Sequence, residues 1–509
     1  MNKIMKKIIP LVMIITSIGF ITAANLNNSS SIIYHSNAAA SLSFDSNSIV
    51  SLVQSPKASA SELTFNDIKQ MVSEAVEIAG GLNGIIKTGD TVVLKPNLVL
   101  YHDVTRPGYT GPDLPPFVNG VCTDWRVVRA AAQLVREIIG PTGKIWVMEA
   151  SSRETTAKHY QKLGYTSANI PEVDEFVSLE NDSGSYVTTN PFAPHPNLKR
   201  IQLDEWLFKD SWPTGLAVKV YNGDGAYWVN RRMQEANAII NIPVLKNHWG
   251  TGTTGGVKNM AIGATPPNVY GNANMHGNVM DRIGRNNRIP HSPDPRIHNF
   301  IADYYTALPS HFTIMDGLQG TDIGPIAGRT FNPRGVTITR LSQAQKNARV
   351  ILASRDTLAL DIVGANLMNW DYASIGYLKY LTDAGKTGNG HPQNITVLGN
   401  KKVDDVRQDY RGIEPTGTRR LTTAEIAKPS LSIISAQFND SNLNIKLNIS
   451  PNTVKADIYI DGVFVKSENN NLADISMNVS AVPNGERRIT VFTYTRYMAH
   501  AEAQITAVK

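Results

Sequence analysis

The segment from Ala238 to Gly263 constrains this chain more than any other. It opens with Ala238-Ile239-Ile240-Asn241-Ile242-Pro243-Val244, an apolar, β-branched run of strand length. Such a run suits a strand buried on both faces of a parallel sheet. Lys246, Asn247, His248 and Trp249 follow at once, and then Gly250, Gly252, Gly255 and Gly256 with Thr251, Thr253 and Thr254 between them. Lys258 and Asn259 stand where the pattern turns helical. A buried strand that feeds a glycine loop and a helix start is where open α/β sheets bind ligands. Gly255 and Gly256 let backbone N–H groups approach an anion, and a helix N-terminus adds the positive end of its dipole. The competing reading is a flexible turn with a solvated lysine.

The flanking chain fits the same class. Ile68, Met71, Val72, Ala75 and Val76 have helical spacing, and Thr91 to Pro96 reads as a strand with Lys95 and Asn97 at its end. Val127 to Ile139 is an amphipathic helix introduced by Thr123-Asp124, and Lys144 to Met148 is a strand that ends at Glu149. Strand, helix and strand in that order argue for parallel pairing. Leu163 to Gly225 is rich in Pro and Asn and reads as an insertion or lid. A helix from Arg296 to Leu308 then leads to the strand Phe312 to Gly317, with Asp316 near its end. Helices over Ala359 to Trp370 and Ser374 to Ala384 precede a last strand, Ile395 to Gly399. From Leu431 the apolar period becomes two, and Asp461-Gly462 and Asn484-Gly485 are hairpin turn pairs. The expected architecture is an α/β main domain with a mostly parallel sheet over residues 62–428, followed by a small all-β, immunoglobulin-like sandwich over 429–509.

At 509 residues the chain is too long for one ordinary core. Its start reads as an export signal over residues 1–24. Lys3, Lys6 and Lys7 precede the apolar run Ile8 to Ala23. A Ser- and Asn-rich disordered linker is expected over 25–61. Secretion or display at the cell surface follows from that reading, with the sandwich as the surface contact. The net charge of +6 is small for this length and makes no case for nucleic acid. One cysteine, Cys122, builds no iron–sulfur cluster within one chain.

The candidate chemistry gathers at strand ends. Arg106 could clamp a carboxylate or phosphate with its planar fork, or be a surface arginine. His248 suits a base or a ligand for a divalent metal, or simply a hydrogen-bonded loop. Lys246 and Lys258 would place charge on an anion, with Lys95 and Asn97 beside them. Lys258 could also be a solvated helix residue, and Lys95 could snorkel from the sheet edge. Asp316 would orient a base or bind a metal, unless it is a turn aspartate before Gly317. His276, His291, His298 and Asp294 match no named ligand spacing, and the sequence names no cofactor.

Lys95-Pro96-Asn97, the Thr123-Asp124 helix start, Asn241 to Lys246, Gly256-Val257-Lys258-Asn259, Met315-Asp316-Gly317 and Asp361 to Ala365 together resemble the domain-of-unknown-function family 362. The resemblance runs from about Leu63 to Lys401. It implies an α/β fold and brings no activity. Some members of that family carry ferredoxin-like cysteine clusters, which this chain lacks. A narrower resemblance is to nickel-dependent lactate racemase. It rests on Asp103, Thr105, Arg106 and Pro107 for a substrate loop, and on His248 with Lys258 ten positions later for holding a nickel pincer cofactor. The Gly-x-His-Arg segment of that family is missing between Pro107 and Ala238, which favours a shared scaffold over shared chemistry. Two functions remain open. One is an enzyme acting on a small anionic substrate. The other is a non-catalytic ligand-binding or cell-surface protein.

Overall fold

The computed structural model describes residues 48–99, 120–150, 156–182, 196–207, 225–267, 297–322, 345–411, 414 and 417–509. Its main sheet has eight strands: β1 (Ser48–Gln54), β2 (Thr91–Pro96), β3 (Lys144–Glu149), β4 (Glu175–Ser178), β5 (Ala238–Ile242), β6 (Phe312–Gly317), β7 (Val350–Ser354) and β8 (Ile395–Gly399). Their order across the sheet is β8-β1-β7-β6-β5-β2-β3-β4. Pairing is parallel throughout except on both sides of β7, which runs antiparallel to β1 and to β6. The sheet is therefore mostly parallel and mixed.

Period-two side chains serve two cores. Val92, Leu94, Ile240 and Ile314 face one side, where helices α1 (Phe65–Ile78) and α2 (Trp125–Ile139) lay down Ile68, Val72, Val127, Ala131 and Val135. Val93, Ile239, Met315 and Leu352 face the other side. There they meet α3 (Gly256–Gly263), α4 (Ile297–Ala307), α5 (Thr357–Leu367) and α6 (Gly376–Ala384). Burial on both faces is why β5 reads as one continuous apolar run. Thr64 and Asp67 form a capping box on α1, and the Asp124 carboxylate caps α2.

Three sequence expectations change. The supposed linker over 25–61 is ordered at its end, because Ser48–Gln54 is an inner strand between β7 and β8. Its partners lie some 300 residues away, so no local pattern announces it. The supposed insertion over 163–225 supplies β4 to the sheet edge. Val350–Ser354, short and unread in the sequence, is the one antiparallel strand. The expected helices and remaining strands of this domain are found within a few residues of their expected bounds.

The C-terminal strands are β9 (Leu431–Asn439), β10 (Asn442–Ile449), β11 (Thr453–Ile460), β12 (Val463–Glu468), β13 (Asp474–Asn478), β14 (Glu486–Thr495) and β15 (His500–Val508). They form two antiparallel sheets, β9-β10-β13 and β12-β11-β14-β15. Leu443, Ile445, Ile458, Ile475, Val491 and their neighbours fill the space between. This sandwich rests on the free edge of β8. Lys455 Nζ donates to the Ile395 carbonyl at 2.7 Å, and the Thr396 and Ser467 hydroxyls lie 2.8 Å apart. Lys402 Nζ enters from the α/β side, 3.0 Å from the Tyr459 hydroxyl and over the Phe492 ring at 4.4 Å. An exposed strand edge invites aggregation, and the sandwich covers this one.

Candidate functional site

Four parallel neighbours, β2, β3, β5 and β6, end on the same edge of the sheet, so their last residues and the loops after them converge. Polar side chains collect there. Lys95 Nζ donates to Glu149 Oε2 at 2.8 Å, to the Pro96 carbonyl at 2.7 Å and to Asn259 Oδ1 at 3.3 Å. Asn97 Nδ2 donates to the same Asn259 oxygen at 2.8 Å, and Asn259 Nδ2 donates to Asn241 Oδ1 at 2.8 Å. Lys246 Nζ donates to Asn97 Oδ1 at 2.7 Å and to the Val121 carbonyl. The Thr123 hydroxyl accepts the Asn97 N–H and donates to the Ile242 carbonyl, tying the ends of β2 and β5 together. The sequence candidates Lys95, Asn97 and Lys246 therefore lie in one buried lattice. Its hub is Asn259, whose sequence context at the start of α3 gives no sign of this role.

Electrostatics in this lattice follow burial. Glu149 is pushed up to about 7 by burial, against the pull of Lys95. Lys95 is pushed down by burial, against the pull of Glu149. Lys246 is pushed down to about 8, also by burial, and feels the charges of Cys122, Glu149 and Asp316.

Lys258 differs from its neighbours. It is the third residue of α3 and is almost fully buried. Among the described residues its amine has no hydrogen-bonding or ion-pairing partner. Burial, followed by the charge of Lys246, pushes it well below the ordinary lysine range. Four residues earlier the Thr254 hydroxyl is also buried and unpartnered. Thr254 pairs with Lys246 across the ribbon formed by Lys246–His248 and Gly252–Thr254.

His248 lies in this ribbon, buried, with Nδ1 accepting the Gly250 N–H at 3.0 Å. A neutral ring bonded in this way carries its proton on Nε2. His298, on α4, is stacked on Tyr377 with Nδ1 accepting the Tyr377 N–H at 3.3 Å. Burial and the charge of Lys258 push His298 down to about 4, so it is neutral at pH 7.

Two expectations take a different form. The sequence suggests Gly255 and Gly256 as an anion cradle. The N–H groups of Gly256 and Val257 are held instead by the carboxylate of Asp361, at 2.6 and 3.0 Å. The glycines serve packing, since a Cβ on Gly255 would lie 2.4 Å from that carboxylate and one on Gly256 would lie 2.6 Å from Thr357 Cγ2. The sequence suggests Asp316 as the orienter of a base or a metal ligand. Its oxygens accept the N–H groups of Asp124 at 2.8 Å and of Leu318 at 3.1 Å, so it braces the start of α2. Burial and then the Asp124 charge push it up to about 7. Sequence reading gave no role to Glu149 or Asp361. The first is visible only as an acid at a strand end. The second lies within a helix that shows no loop signal.

Arg106, with Asp103, Thr105 and Pro107, lies outside the described residues, as do His276, His291 and Asp294. Among the described residues one His and Asp group draws together. It is Asp404, Asp405 and His500, at the contact between the α/β domain and the sandwich and apart from the strand ends. There His500 Nδ1 bonds Asp404, and Asp405 accepts the Lys402 N–H. No helix among the described residues is long and apolar enough to cross a membrane.

Comparison with known proteins bears on the same strand ends. A thylakoid-associated protein of Synechocystis sp. is 24% identical over 302 residues, covering 59% of this chain and 70% of that protein. Two solved structures align over 18% of this chain, each with a TM-score of 0.16. They are the fibronectin(III)-like modules of Clostridium thermocellum CbhA, at 15% identity, and the Clostridium perfringens spore cortex lytic enzyme SleM, at 9%. The chain spans half of the first and about a third of the second (50% and 35%), and a likeness this slight carries no statement about fold or activity. The family model described as Domain of unknown function (DUF362) matches residues 211–366, a span that holds β5, the Lys246–His248 ribbon, α3, β6 and most of α5. Over those residues this chain matches the DUF362 family model.

Proposed function

We propose that the strand-end lattice around Lys258 is a binding site for a small anionic molecule, a carboxylate or a phosphate ester, in an exported protein. The observation that carries this reading is the buried, unpartnered Thr254 hydroxyl on one glycine loop with Lys258, a buried lysine with no ion pair or hydrogen bond among the described residues. Buried polar groups in folded proteins are nearly always bonded, and exceptions cluster where a ligand or catalysis supplies the partner. An arriving anion gives Lys258 a counter-charge and Thr254 an acceptor. Lys246 adds positive charge nearby, and His248, on the same ribbon, is the candidate base. Arg106 is the second candidate anion clamp. Export rests on the N-terminal charge and apolar pattern, and the sandwich is read as immunoglobulin-like in its size and seven strands.

Isothermal titration calorimetry with lactate and with glycerol 3-phosphate tests the reading. Burial pushes Lys258 well below the ordinary lysine range and an anion favours its charged form, so binding is expected to take up protons, at most about one per site. Titrations in buffers of different ionisation enthalpy reveal that uptake. Saturable binding that weakens as pH rises and is lost in Lys258→Met supports the site. Absence of binding by both probes removes it.

A further inference from the structure

Five lysines are buried among the described residues: Lys95, Lys246, Lys258, Lys402 and Lys455. Four are partnered. Lys95 pairs with Glu149 and Lys455 with Asp457, Lys246 bonds Asn97 and Val121, and Lys402 bonds Tyr459 within an aromatic cage. Lys258 alone has no partner of this kind. Its position makes the ammonium form costlier still. It lies in the first turn of α3, and Lys246 adds a like charge. Water is largely excluded. Burial and the like charge of Lys246 both act against the ammonium.

A free amine is a nucleophile, and desolvation beside another cation is a known way to keep one so. Resting on the reading of this loop as a ligand site, we propose that Lys258 Nζ condenses with the carbonyl of a small 2-oxo acid. The nitrogen lone pair attacks the carbonyl carbon, and the C=O π pair moves to oxygen, which takes a proton while nitrogen gives one up. The resulting carbinolamine loses its hydroxyl, with a proton, as water, and the C=N bond forms. Amine and carbonyl thus give imine and water, with no change of oxidation state. Lys246 is bonded here by two neutral acceptors and keeps its charge for the substrate carboxylate. The unpartnered Thr254 hydroxyl is the donor in the same loop for the carbonyl oxygen.

Reductive trapping on the full chain tests this. The protein is incubated with pyruvate and sodium borohydride at pH 7, and the lysine peptides are mapped by mass spectrometry. The exposed Lys446 serves as internal reference. Ordinary lysines titrate near ~10.4, so a lysine pushed well below that range is expected to react roughly tenfold or more faster at pH 7. A reduced pyruvate adduct on Lys258 in that excess, suppressed by competing lactate, supports the imine. Lys258 reacting no faster than Lys446 overturns it. Lactate has no carbonyl, so calorimetric binding of lactate without trapping of pyruvate removes the nucleophile and leaves the anion site standing. Failure of both removes both. The trapping experiment uses the unaltered protein, so it does not depend on a variant that folds.

Discussion

The carboxyl group of Asp361 accepts the Gly256 N–H at 2.6 Å across 105 residues of chain, so the first turn of α3 is already capped by the protein's own side chain. Gly255 is needed for this approach because of space. Its φ of −132° is open to any residue, but a Cβ there would press into the carboxylate at 2.4 Å. Gly255→Ala is expected to cost roughly 1–3 kcal/mol through overpacking. Urea denaturation reads that loss. Most of it should vanish in an Asp361→Ala background, since the two sites are in contact and their effects couple.

Lys95 and Glu149 form a fully buried ion pair. Removing one partner strands the other charge in the interior, so Lys95→Met should destabilise by about 3–5 kcal/mol. Lys95→Met with Glu149→Gln removes both charges, and the glutamine oxygen remains to accept a backbone N–H. The double variant is expected to recover more than half of the loss in thermal or denaturant unfolding.

Lys258 gives the opposite sign. In the unfolded chain its amine titrates near ~10.4, and in the fold it titrates well below that. Between the two values the unfolded state binds more protons, so the Lys258 contribution is full at high pH and is lost as pH falls. Lys258→Met should therefore stabilise the protein at pH 7, by about 0.5–2 kcal/mol if it follows other relieved functional sites. The gain should vanish above pH ~10–11. Denaturant midpoints of the two proteins across that range check this, alongside the loss of lactate binding.

Asp316 supplies a separate pH signature. Its folded value of about 7 lies above the unfolded carboxylate value near ~3.9. From about pH 4 to about 7 the folded state holds the extra proton, and stability falls as pH rises. Asp316→Asn should flatten the wild-type decline over that window by up to about 1.4 kcal/mol per pH unit. A constant offset between the two stability curves would contradict this assignment.

Lys402 tests whether the sandwich is fixed in place. Its ammonium lies over Phe492 at 4.4 Å and over Tyr459 at 5.0 Å, and burial pushes it down to about 8. Lys402→Ala empties an aromatic-lined space and should cost about 2–4 kcal/mol, whereas Lys402→Met fills it and should cost under about 1.5 kcal/mol. Limited proteolysis between residues 417 and 430 should speed up in the alanine variant only.

The sequence showed strands through alternation and apolar runs, and helices through spacing and caps. β5 and α2 were legible for that reason, as were the hairpin turns at Asp461-Gly462 and Asn484-Gly485. β1 was not. Ser48–Gln54 is stabilised by pairing with β7 and β8, near opposite ends of the chain, and carries too little local pattern to stand out from its serine-rich surroundings. In the site, Lys95, Asn97 and Lys246 were legible because charged and amide groups directly after buried strands are conspicuous. Asp361 was not, because it lies inside a helix that is buried all round, with no loop signal near it.

By itself the sequence determined which segments bury apolar surface and which residue types stand at their ends, since both follow from local periodicity and backbone propensity. Only the tertiary structure decided who is paired with whom. It gave Glu149 to Lys95 and Asp361 to the Gly256 amide, and among the described residues it gave Lys258 no such partner. Pairing of buried charge depends on distances between segments far apart in the chain, and no local pattern encodes those distances.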